Sequence, residues 1–141
     1  MQPTKIIFLF IGILSVFCGC TDETDYNHPT YLKTREELTD KKWERSFTEL
    51  TKDIYETWAF ESNGNGSLQV LYIYDNGAEE EWSYNFLWAL TLDLVINIDN
   101  SRYWEIQKIT PTDLTVQETW QDPVEVPGQT YRKILEFKAV L

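Results

Sequence analysis

The segment Phe17-Cys18-Gly19-Cys20 holds both cysteines of the chain, so any thiol chemistry is confined to it. A disulfide between Cys18 and Cys20 would bring two Cβ atoms within about 4 Å across one intervening residue, which a three-residue extended segment resists. A structural metal needs about four ligands, and the chain adds one histidine, His28, and no further cysteine. His28 stands outside the patterned part of the chain, with no expected role, so neither a Ser-His-Asp nor a Cys-His set forms there. No Gly-rich loop leads into a helix to cradle phosphate, and neither metal nor any other cofactor is expected.

Carboxylates remain. A glycosidase flanks its scissile bond with two of them, and Glu105 and Glu118 fall in neighbouring segments that can pair as a hairpin. Glu118 alternates with Leu114, Val116 and Trp120, which places it on an apolar face near one end of the fold. It is a site acid, or it stands in water at the barrel mouth, or it bonds a nearby tyrosine. Glu79-Glu80-Glu81 reads as a solvated hairpin flank. The aromatic rings are the stronger candidates. Trp82, Tyr84 and Trp88, with Trp58, Trp104 and Trp120, either line a cavity that stacks on sugars or apolar ligands, or fill the interior completely. A slot would open beside a smaller neighbour such as Ala59.

The cysteines have a third reading. Lys5 precedes an apolar run from Ile6 to Phe17, which is too short for a bilayer span of about 20 residues and suits a secretory signal. Val16-Phe17-Cys18-Gly19-Cys20 resembles a bacterial lipobox, with small Gly19 before the acylated cysteine. That resemblance implies a signal peptide over residues 1–19, cut before Cys20, and lipid on Cys20 as the attachment to a membrane. Several acyl chains hold a protein stably, at roughly 0.8 kcal/mol per buried CH₂. The acidic run Thr21-Asp22-Glu23-Thr24-Asp25 is a solvated spacer. It also resembles the run that follows the cysteine in Bacteroidetes lipoproteins, where it tags export to the cell surface. The implied address is the cell envelope, as a surface-exposed outer-membrane lipoprotein.

A formal net charge of −11 repels phosphate backbones, so nucleic acid is not an expected partner. Residues 20–34 read as lipid-attachment cysteine and flexible acidic tether, and residues 35–141 as one domain. Thr34-Arg35-Glu36-Glu37-Leu38 predicts a short helical turn capped by Thr34. From there the period is two, and the spacing predicts strands over 42–49, 53–62, 67–75, 80–89, 92–98, 102–109, 113–120 and 130–140. Ser62-Asn63-Gly64-Asn65-Gly66, Asp75-Asn76-Gly77, Asp99-Asn100-Ser101 and Thr110-Pro111-Thr112-Asp113 supply turns, and Asp122-Pro123 with Pro127-Gly128 brackets a longer loop. Trp82, Tyr84, Phe86 and Trp88 share one face against Ser83 and Asn85. Leu92, Leu94, Ile96 and Ile98 oppose Asp93, Asn97 and Asp99. Eight short strands of this kind predict an all-β, antiparallel up-and-down meander closed into a barrel.

The order of these motifs resembles the small lipocalin-like lipoproteins of Bacteroidetes. The residues that carry the likeness are Leu38-Thr39-Asp40-Lys41-Lys42-Trp43 at the first strand, Glu56-Thr57-Trp58 running into the glycine turn, Tyr103 to Glu118 as a hairpin, and Tyr131 to Val140 as the closing strand. The resemblance implies a lipocalin-like β-barrel with Trp43 closing one end. Three functions follow as expectations. The first is a lipid-anchored barrel, without catalysis, that binds a small apolar or glycan ligand or a surface partner. The second is a ligand-free, filled barrel acting as a structural or interaction subunit with an outer-membrane protein partner. The third is a carboxylate-dependent hydrolase.

Overall fold

The computed structural model describes residues 25–121 and 129–141. Cys18, Cys20, the expected signal peptide and the loop between Asp122-Pro123 and Pro127-Gly128 lie outside the described residues. Among the described residues one helix, α1 (Pro29–Thr39), precedes eight strands: β1 (Lys42–Glu49), β2 (Lys52–Phe60), β3 (Asn65–Tyr74), β4 (Glu79–Leu90), β5 (Val95–Ile98), β6 (Arg102–Ile109), β7 (Asp113–Gln121) and β8 (Thr130–Val140). Each strand pairs antiparallel with the next and β8 returns to β1, so the chain is a closed up-and-down barrel.

Closure is uneven along the barrel axis. The pairings within β1–β4 and within β6–β8 are long, whereas β1 meets β8 over Lys42–Glu44 alone and β4 meets β5 over Trp88–Leu90 alone. Two curved half-sheets are therefore stitched together at one end and separate toward the other. The stitched end is plugged by α1, whose Tyr31, Thr34 and Leu38 recur at i, i+3 and i+7 and are buried. The Tyr31 hydroxyl donates to Leu90 O at 2.9 Å, Trp43 Nε1 donates to Leu38 O at 3.1 Å, and Lys41 Nζ reaches Pro111 O at 3.0 Å. Trp43, fully buried, thus sits beneath the helix at the closed end.

Local structure departs from the sequence reading in the start of the helix and the length of β5. The helix begins at Pro29, not Thr34, so residues 29–34 of the expected tether are helical. Proline suits the first helical turn, where its missing N–H is not needed, and His28 is the N-cap, its Nδ1 accepting from Thr30 N at 3.2 Å. His28 therefore has a structural task. The strand expected over 92–98 is only Val95–Ile98, because Thr91 to Leu94 turn, with Leu94 at φ 61° and the Thr91 hydroxyl accepting from Val95 N. The expected turns form: Asp75-Asn76-Gly77 is a three-residue loop in which only Gly77 has positive φ, and Asp99-Asn100 is a two-residue turn with φ of 53° and 54°.

Candidate functional site

The inward-facing side chains change character from the closed end to the open end. In the lower barrel, Trp58, Phe60, Phe86, Trp88, Trp104 and Phe137 pack ring on ring. Trp58 and Trp104 lie 4.7 Å apart, and Phe60 and Trp88 lie 5.5 Å apart. An eight-stranded barrel has an interior just wide enough for such side chains to fill it, and this part is filled. Phe86 fits because Gly66 lies beneath it on β3. An added Cβ there would stand 2.1 Å from the ring. Ala59, expected beside a slot, alternates with buried Trp58 and Phe60 and faces outward.

Above the rings lies a charged layer. Arg45 and Glu56 are opposite each other on β1 and β2, with Nε to Oε1 at 2.7 Å. Glu56 Oε1 also accepts from Trp58 Nε1 at 3.1 Å. On the other half-sheet Glu118 Oε2 accepts from Arg102 Nη2 at 2.7 Å, Arg102 Nε at 3.1 Å and Trp104 Nε1 at 2.6 Å. Each glutamate thus ties an arginine to a core indole. The guanidinium of Arg102 lies 5.4 Å over Trp58 across the barrel, and that of Arg45 lies 5.9 Å from Phe137. These contacts bridge the two half-sheets where strand pairing has ceased. Ion pairs taken from water add little net stability, because desolvation offsets their attraction. Their consequence here is a fixed polar floor on a hydrophobic core.

Beyond this floor no described strand or helix closes the barrel. Trp82 and Tyr84 share the inward face of β4 with Phe86 and Trp88, yet they are 44% and 51% exposed, against 7% and 5% for the lower pair. The break in the wall explains the difference. Trp88 N donates to Gly64 O in the turn before β3, on the β3 side, while Leu87 exchanges bonds with Asp99, through Asp99 N to Leu87 O and Leu87 N to Asp99 Oδ1. Alternation then points the peptide groups of Glu81, Ser83 and Asn85 toward the β5 side, where no described strand pairs with them. In this gap lies a cleft of about 270 Å³, with Trp58, Leu68, Tyr84 and Phe86 on one side and Ile98, Ser101 and Arg102 on the other. A larger depression of about 500 Å³ runs over outward-facing Ser67, Asn85 and Leu87 and touches only Phe86 among the inward rings.

The candidate residues therefore separate. Trp82 and Tyr84 stand at the mouth, and Trp58 forms the cleft floor. Trp120 is half-buried and stacks on Tyr131 at 5.6 Å. Glu118 is buried in the charged layer. Trp88 belongs elsewhere: it lies at the closed end, donating to Glu61 O and Asn65 O with Arg35 stacked 4.7 Å away. The facing of Glu105 and Glu118 is corrected, because Glu118 is opposite Trp104 and Glu105 is opposite Gln117. One acid points in and the other out, so the two cannot flank a bond. Sequence reasoning missed Arg45, Glu56 and Arg102. Each sits at an inward position of its strand, and period-two alternation extended one step past the apolar run would have found them.

Among the described residues no helix is long and apolar enough to cross a membrane, and no three His, Cys, Asp or Glu side chains converge on a metal position. Comparison with known proteins finds no matching family model, curated protein or solved structure.

Proposed function

We propose that this chain is a lipid-anchored binding barrel of the cell envelope that takes a small apolar or glycan ligand at its open end. The observation that carries this reading is the break in the wall beside β4. It leaves two inward rings, Trp82 and Tyr84, uncovered above a cleft with an aromatic floor. Rings held on a rigid strand offer stacking area at low entropic cost, and ligand sites are concave and mostly apolar with few polar groups. The envelope address rests on the lipobox-like run ending at Cys20, and the lipocalin-like assignment on the motif order together with an eight-stranded barrel plugged by an N-terminal helix. The chemistry of the site is binding without catalysis, since Glu56 and Glu118 of the charged layer are held by arginine and indole donors.

Tryptophan emission tests the reading. Titration with fatty acids, aromatic probes and oligosaccharides should shift the emission saturably, and Trp82→Phe should remove most of the change. Unchanged emission together with no calorimetric heat across that panel would overturn it. The filled-barrel interaction subunit would then take its place, supported by Leu87, Ile134 and Tyr103, which are exposed on the outer wall at 65%, 55% and 43%.

A further inference from the structure

The cleft contains one feature that an apolar pocket does not need. Arg102 lines it with a side chain that is 39% exposed, and its other face is bound to Glu118. Nε and Nη2 are both directed to the single oxygen Oε2 of Glu118, which leaves the Nη1 donors uncommitted among the described hydrogen bonds. Glu118 has a second basic neighbour. Lys133 is opposite it on β8 and lies over Phe47, so the interior end of the barrel places Arg45, Arg102 and Lys133 against Glu56 and Glu118. On the facing lip, the Asn85 peptide N–H points into the gap without a strand partner. Asp99 is the nearby acid, and its Oδ1 is engaged by Leu87 N. Below these donors the walls are Trp58, Leu68, Phe86 and Ile98.

A guanidinium and a peptide N–H above an apolar floor match an oxyanion that carries a hydrocarbon body. We infer that the mouth binds small amphipathic carboxylic acids, with the carboxylate on Arg102 and the apolar body in the cleft. The inference rests on the open-end binding reading and names its ligand class. Charge-assisted hydrogen bonds are about twice as strong as neutral ones, and a planar carboxylate accepts them in pairs. The cleft of about 270 Å³ suits a body of one ring with a short chain rather than a long acyl chain.

The test is isothermal titration of the full-length protein with 4-phenylbutyrate, 4-phenylbutanol and 4-phenylbutyramide in one buffer. The acid should bind at least roughly tenfold more tightly than the alcohol. Arg102→Gln should bring the acid down to the alcohol's affinity and leave the alcohol unchanged. Glu118→Gln, which releases the guanidinium from its partner, should tighten the acid alone. A merely structural role for Arg102 predicts no such gain. Thermal melts of both variants confirm that they are folded. Equal affinities for acid and alcohol, or no gain in Glu118→Gln, would overturn the ligand class while the binding reading stands. Absence of binding by all three probes would overturn the ligand class, and the binding reading falls with it only if the wider panel of fatty acids, aromatic probes and oligosaccharides is silent as well.

Discussion

Replacing Gly66 with alanine isolates one packing decision of the barrel. The new Cβ would stand 2.1 Å from Phe86 Cε2, 2.3 Å from Cζ and 2.7 Å from Cδ2. Ordinary carbon contacts lie at about 3.5–4.0 Å, so the ring must retreat by more than about 1 Å. It has little room to do so. Phe86 is 7% exposed, and the centroids of Trp58 and Phe60 each lie 5.6 Å from its own. Overpacking of this kind costs about 1–3 kcal/mol. Alanine's smaller backbone entropy loss returns about 0.5 kcal/mol, so a net loss of about 1–2 kcal/mol is expected. Phe86→Leu alone costs a similar amount by leaving a void. The double variant relieves the clash that Gly66→Ala creates, so the two changes should couple favourably by at least about 0.5 kcal/mol. Urea unfolding of the four proteins reads this out, with the slope unchanged and only the midpoint moving. The displaced ring moves away from β3 toward the cleft, so Gly66→Ala should also weaken any ligand held there. A Gly66→Ala protein within about 0.5 kcal/mol of the parent, or strictly additive changes, would refute the packing of Phe86 over Gly66.

Three further outcomes are expected. Trp43→Ala should cost about 3–5 kcal/mol in urea unfolding, since it removes a fully buried indole and the bond from Nε1 to Leu38 O; a loss below about 1 kcal/mol would mean that α1 does not rest on it. Asp113, on β7 opposite Lys138, has its pKa lowered to about 2 by hydrogen bonds from Lys138 and Thr112. A depressed carboxylate stabilises the fold above its unfolded pKa and loses that contribution as pH falls through the folded value. Asp113→Asn should therefore flatten the acid limb of the stability curve between about pH 4 and pH 2 and leave the Lys138 resonance insensitive to pH there; an unchanged limb would show the pair to be idle. Cys20→Ser should move the chain from the membrane to the soluble fraction, and retention through detergent partitioning would locate the anchor elsewhere.

Much of the architecture was legible because barrel strands announce themselves through period-two alternation. Trp82, Tyr84, Phe86 and Trp88 against Ser83 and Asn85 identify an inward and an outward face before any coordinates exist. The meander follows because short turns between antiparallel strands leave little topological choice. Turn chemistry was less legible where it lacked glycine. Thr91-Leu92-Asp93-Leu94 reads as strand, and only the Thr91 hydroxyl and a left-handed Leu94 make it a turn. The same limit hid the start of α1, because His28 is not a residue that local chemistry marks as a cap.

The candidate site divides along the same line. The sequence by itself determined which side of each strand is apolar, and hence that Trp58, Glu118 and Trp120 look into the barrel. Only the tertiary structure decided that four rings on one strand meet different fates. Trp88 and Phe86 are enclosed because β5 and α1 cover the closed end, and Trp82 and Tyr84 stay open because β5 ends at Ile98. Strand length and pairing span arise from contacts between distant segments, which alternation along one strand cannot encode. The charged layer has the same origin. Arg45 with Glu56, and Arg102 with Glu118, become partners through register, and their rings become neighbours through closure of the barrel.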